Sequence, residues 1–171
     1  MQQFDPNLLN TLGQPLMQGD VTSVLVTEPG GVVAGLSNNV VDPDQPFELT
    51  VDWKVFGGLV PLWIAALDPN GQNPWTVSIY AESIGGGQEQ LIGEQQVPTS
   101  VFTPGAGLLE RDYTATVTVA AGTLQEGNPG SNISGVYKLA AVVFLDSNLG
   151  VVGYDLAGFS EGPIIEVESL I

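Results

Sequence analysis

The sequence has no cysteine, no histidine, and only three basic residues against nineteen acidic ones. Without cysteine there is no disulfide, no thiolate nucleophile and no cysteine-ligated metal. Without histidine the commonest general base and transition-metal ligand are missing too, and a Ser-His-Asp arrangement is impossible. A Ser-Lys pair would have to use Lys54 or Lys138, both in the middle of strand-like segments. No "GxGxxG" follows a strand and opens a helix, and no phosphate-loop lysine is present. Nineteen acids guarantee some close carboxylate pairs, as glycoside hydrolysis requires, but nothing in the sequence marks one pair as special. The expectation is a protein that is not an enzyme.

The net charge of −16 reflects bases left out more than acids added. Lys54, Arg111 and Lys138 cannot form the basic patch that nucleic-acid binding needs, so no nucleic-acid partner is expected. The same surface holds identical subunits apart until salt screens them or a basic partner docks. No apolar run approaches the roughly 18 residues that span a bilayer, so membrane insertion is not expected. "MQQFDPNLLN" lacks a basic n-region and an apolar h-region. Cytosolic synthesis without a visible signal peptide follows as the expectation, with export or release as part of a particle as its extension.

A chain of 171 residues suits one folded domain, with residues 1–19 as an N-terminal arm and 20–171 as the body. In the arm, Asp5 reads as an N-cap, Pro6 as a first helical residue and Gly13 as a stop, giving a short helix that presents Leu8, Leu9 and Leu12. So short a helix is marginal alone and needs a surface to dock on.

Beyond Asp20 the signals are those of strands. "DVTSVLVT" is followed by the turn "EPGG" and a short "VVAGL". "FELTVDWKVF" alternates with Phe47, Leu49, Val51, Trp53 and Val55 on one face. "WTVSIYAESI" puts Trp75, Val77, Ile79 and Ala81 inward, "QEQLIGEQQV" is polar enough for a sheet edge, and "RDYTATVTV" opposes Tyr113, Ala115, Val117 and Val119 to three outward threonines. "YKLAAVVFL" differs, because Ala140, Val142 and Phe144 make its second face apolar as well. "DSNLG" leads on to "VVGYDLAGF", and "IIEVES" follows "SEGP". Many short strands joined by turn-rich loops describe an all-β, two-sheet antiparallel sandwich. "GGLVPLWIAAL" (57–67) breaks the pattern. It reads as a short helical turn or an irregular flap that covers the outer face of 136–145, either in its own chain or on a neighbour.

"SGVYKL" places Gly135, Tyr137 and Leu139 in a spacing that resembles the later strands of immunoglobulin-like and fibronectin-type-III-like modules. The resemblance covers about residues 20–170. It implies an immunoglobulin-like sandwich in which the Tyr137 hydroxyl bonds backbone near the preceding corner. The disulfide cysteines of antibody-type domains are absent, and Leu139 stands at one expected position.

Two functions follow as expectations. The first is a structural or adhesive subunit of a larger assembly, such as a surface layer, filament or phage-tail-like particle. It would associate with itself or with other protein subunits through Phe4, Leu8, Leu9, Leu12, Leu62, Trp63, Ala140, Val142 and Phe144. The second is a carbohydrate-binding module using Trp63, since Trp53 and Trp75 lie on inward faces. No cofactor is expected. "DPDQ", "DPNGQ" and "DSN" offer oxygen-rich loops of the kind calcium uses, with Asp42 and Asp44 the first candidates, although the same residues are what tight turns require. "NIS" (132–134) matches a glycosylation sequon but reads as loop.

Overall fold

The computed structural model describes residues 3–27, 39–85, 89–107, 109–128, 130, 134–147 and 154–169. "VVAGL", most of "NIS" and Asn148 of "DSN" lie outside them. In chain order the elements are β1 (Gln3–Asp5), β2 (Leu8–Leu9), β3 (Pro15–Thr27), β4 (Val40–Val41), β5 (Phe47–Phe56), α1 (Val60–Leu67), β6 (Trp75–Ser83), β7 (Gln90–Val97), β8 (Thr103–Pro104), β9 (Arg111–Val119), β10 (Val136–Leu145) and β11 (Leu156–Val167). Sheet 1 runs β1-β11-β10-β6-β7, with β4 added in parallel to β11, and sheet 2 runs β2-β3-β5-β9-β8. All other pairings are antiparallel, so the fold is an all-β two-sheet sandwich.

The alternating segments bury the faces their pattern assigns to the core. Phe47, Leu49, Val51, Trp53 and Val55 of β5 meet Trp75, Val77, Ile79 and Ala81 of β6 in one cluster that includes Tyr113, Val117, Leu139 and Val143. Trp53 stacks on Tyr113 at 5.3 Å between ring centres and meets Trp75 edge-on at 5.9 Å. The two sheets approach closely at each lateral edge of the sandwich. Gly93 on β7 lies so close to β9 that an added Cβ would stand 2.6 Å from a Val117 methyl. At the other edge the Phe4 ring sits between Gly19 and Gly158, within 2.5 and 2.7 Å of where their Cβ atoms would be. Only residues without a side chain leave room for that ring.

The N-terminal segment forms no helix. β1 pairs with β11 and β2 with β3, and the expected boundary at residue 20 falls inside β3, where Asp20 faces Lys54. Hairpin pairing with Pro15 and Met17 gives the backbone of Leu8 and Leu9 partners that one helical turn could not match. Segment 57–67 contains a helix, α1 (Val60–Leu67), with Pro61 in its first turn, where a missing N–H costs nothing. It folds onto its own chain, burying Val60, Ile64 and Leu67 in the core, and it crosses one end of the sandwich. The Leu59 amide bonds Leu16 O at 2.8 Å, and the Trp63 indole N–H donates to Tyr154 O at 3.1 Å. "SEGP" does not interrupt the last strand either. β11 runs through it, and the register shift opposite Lys138 and Ala140 absorbs Gly162 and Pro163 as a bulge.

Two polar clusters fix the ends. Tyr137 is buried, and its hydroxyl donates to Gln125 O at 2.9 Å and accepts from Gln125 N–H at 3.2 Å. Asp68 closes α1, and its carboxylate accepts from Thr99 Oγ1 at 2.5 Å and from Asn73 N–H at 2.9 Å. Burial alone would raise its pKa, but the bonds from Thr99 and from the Asn73, Gln72 and Gly71 amides outweigh it and hold the carboxyl below its ordinary value. No helix among the described residues is long and apolar enough to cross a membrane.

Candidate functional site

The hairpin of β2 and β3 and the helix α1 share one end of the sandwich, tied together by the Gly58–Pro15 and Leu59–Leu16 backbone bonds. The hairpin turn is held from within. The Asn10 side chain accepts from Leu12 N–H and Gln14 N–H at 2.9 Å each, Gly13 N–H reaches Asn10 O, and Gly13 adopts φ +75°, which suits glycine. Leu12 is thereby held out at 81% exposure, with Leu9 beside it at 53%. On the helix Leu62 is 70% exposed. A groove of about 300 Å³ runs between Leu59, Leu62, Trp63, Ala66, Leu67 and Tyr154. Trp63 is half-buried there, its ring 6.4 Å from that of Tyr154. Neither 6–19 nor 55–67 contains a charged residue.

A second apolar strip crosses the outer face of sheet 1, beside Thr76, Ser78, Glu82 and Glu94 on β6 and β7. Val142 lies opposite Phe159, Phe144 opposite Ala157, Ala140 opposite Tyr80, and Tyr80 opposite Leu91. Phe144 and Phe159 are diagonal neighbours, 36% and 37% exposed, so the strands of this chain cover them only in part. α1 does not lie over this face, because its bonds are to β3 and to the β10–β11 connection. The rim is charged, with Lys138 bonded to Glu161 at 2.7 Å.

Of the residues the sequence nominates, Leu8, Leu9, Leu12, Leu62 and Trp63 therefore come together at one end. Ala140, Val142 and Phe144 lie on the outer face of sheet 1, and Phe4 belongs to neither surface because it fills the space between the sheets. Sequence reasoning missed Phe159, Tyr80, Leu91 and Tyr154. Phe159 and Tyr80 sit at outward positions of alternating segments, a signal that was present, whereas the position of Tyr154 depends on tertiary contact with Trp63.

The outer face of sheet 2 is polar. Asp52 accepts from Ser23 Oγ and Thr114 Oγ1 at 2.7 Å each, and Lys54 is 3.5 Å from Glu110. The Asp112 carboxyl is pushed above its usual value by partial burial and by the neighbouring Glu110. Asp42 accepts Asp44 N–H at 2.9 Å, closing an Asx turn. Among the described residues no group of three or more Asp and Glu is placed to hold a metal ion. Trp53 and Trp75 are wholly buried, which removes them from any sugar-binding surface. An open cleft of about 840 Å³ follows the β1 edge and is lined by Phe4, Asp5, Asn7, Gln18, Asp20, Lys54, Phe56 and Phe159, among others.

No protein-family model matches the sequence, and no curated protein matches it.

Proposed function

We propose that this protein is a non-enzymatic structural or adhesive subunit that joins a larger protein assembly through apolar surface. The observation that carries the reading is the grouping of exposed apolar side chains on a chain of net charge −16. Several gather at the helix end and in a strip across the outer face of sheet 1, where Thr76, Ser78, Glu82 and Glu94 flank them, while the outward positions of β9 on sheet 2 are threonines. Grouped apolar side chains on a small acidic domain favour a role as interaction surfaces. Two patches in different places favour a subunit that makes more than one contact, as in a layer, filament or phage-tail-like particle. The partners are further copies or other protein subunits; the scarcity of basic residues argues against nucleic acid.

The finer fold assignment that accompanies this reading is an immunoglobulin-like or fibronectin-type-III-like module. Its supports are the division of β3, β5 and β9 from β7, β6, β10 and β11, and the Tyr137 hydroxyl bonded to backbone ahead of its strand. Fold alone does not set the function. A carbohydrate-binding module is the second reading, favoured by the aromatic, amide and carboxylate walls of the cleft along β1.

The test is light scattering on a sizing column with the full chain and with Phe144→Lys/Phe159→Lys and Leu12→Asp/Leu62→Asp variants. Association of the parent chain that one or both variants weaken is the expected result. A parent chain that stays monomeric at every salt and concentration, while its Phe159 variant loses binding to a glycan array, would replace the assembly reading with the second one.

A further inference from the structure

The sequence contains one Asn-Gly pair, Asn70–Gly71, in the turn that follows α1. We propose that this pair is a site of self-modification, where Asn70 converts to isoaspartate and the rerouted backbone draws the turn amides away from the Asp68 carboxylate. Access favours the first step. Asn70 and Gly71 are both exposed, Asn70 lines an open hollow of about 310 Å³ with Asp68, Gln72, Asn73 and Ser147, and Gly71 has nothing within 4 Å of where a Cβ would stand. The Gly71 amide is also held loosely, its bond to Asp68 O being 3.4 Å long against 2.9 Å for the Asn73 amide on the carboxylate. Asn73 and Asn128 precede proline, whose nitrogen has no proton to lose, and the remaining asparagines precede residues whose side chains crowd that nitrogen.

The chemistry needs only water. The Gly71 nitrogen gives its proton to solvent base and attacks Asn70 Cγ, and Nδ2 leaves as ammonia, closing a cyclic imide. Water then opens the ring at either carbonyl. Opening on the main-chain side leaves the chain running through Cβ and Cγ, which is isoaspartate, and opening on the side-chain side leaves ordinary aspartate. Isoaspartate adds a main-chain atom, and this turn has no slack for it. Asp68 N–H bonds Ile64 O at 2.8 Å at the end of α1, and the Asn73 side chain donates to Leu67 O at 3.1 Å and to Asp146 O. Between those pins the amides of Gly71, Gln72 and Asn73 converge on the Asp68 carboxylate, which also takes the Thr99 hydroxyl. An atom inserted between residues 70 and 71 displaces the amides, and a carboxylate short of donors loses its stabilisation.

The full chain is incubated in mildly alkaline buffer, folded and in parallel in denaturant, and residue 70 is followed by peptide mapping with mass spectrometry. The expected result is conversion at Asn70 in the folded chain, ahead of every other asparagine and abolished in Asn70→Gln. Converted chains are then separated by charge and unfolded beside Asn70→Asp, which carries the same new charge on an ordinary backbone. The converted chains should have the lower denaturant midpoint at pH 7, with the gap closing below about pH 4 as Asp68 protonates. Residue 70 unchanged in the folded chain after the denatured chain has converted overturns the proposal. Equal midpoints for the converted chains and Asn70→Asp overturn the link to Asp68.

Discussion

Tyr137 and Asp68 show how single polar groups hold the ends of this sandwich. The Tyr137 hydroxyl both gives and takes a backbone bond at Gln125 from a buried position. Tyr137→Phe should therefore cost about 1 kcal/mol, more if the Gln125 groups find no water, read as a lowered denaturant midpoint with an unchanged slope. Asp68 makes a pH-dependent contribution. Its folded pKa lies below the value near ~3.9 of an unfolded aspartate, so its stabilising effect is complete above that value and fades as pH falls through the lower folded one. Asp68→Asn should be less stable than the parent by about 1–3 kcal/mol at pH 7, with the gap narrowing below about pH 4. Equal gaps at pH 7 and pH 3 would sink this account.

Among the elements, α1 is the one whose loss would open the core. Ile64 is buried beneath it, and Ile64→Ala should cost about 2–5 kcal/mol in chemical unfolding. A cost under about 1 kcal/mol would mean that the helix is not anchored as described. The helix was only partly legible in the sequence. "VPLWIAAL" is apolar on every side, so neither a two-residue nor a 3.6-residue period stands out, and Pro61 argued as well for a break as for a first turn. β5, β6 and β9 were legible because one face is core and the other solvent. The N-terminal segment misled for a physical reason: Asp5, Pro6 and Gly13 are helix signals, but they are also turn residues, and the pairing of Leu8 and Leu9 with β3 is not written in local sequence. The same integration makes deletion of residues 1–19 a poor probe of association. It would cut β3 short and remove Met17 from the core and the Phe4 ring from its place against Gly158. Point substitutions on the exposed leucines leave those contacts intact.

For the whole molecule, the balance of nineteen acids against three bases sets the conditions under which copies meet. Repulsion between them reaches about 30 Å at 0.01 M salt and about 3 Å at 1 M. Association measured by light scattering should therefore strengthen as salt rises. Weakening with salt would point to ion pairs at the contact and against the uncharged surfaces. The candidate site was legible as a set of residues but not as a place. The exposed leucines of the arm and of 57–67 stand about fifty positions apart in sequence, and only the backbone bonds from Gly58 and Leu59 to β3 bring them to one end.

The polarity of β10 and β11 has a further consequence. Leu145 and Leu156 adjoin the helix end, whereas Val136 and Val167 lie at the opposite end of strands roughly 30 Å long. Any polypeptide attached after β11 thus departs from the far side of the molecule. A reporter or another domain fused there would stand away from the helix end and leave its exposed leucines uncovered.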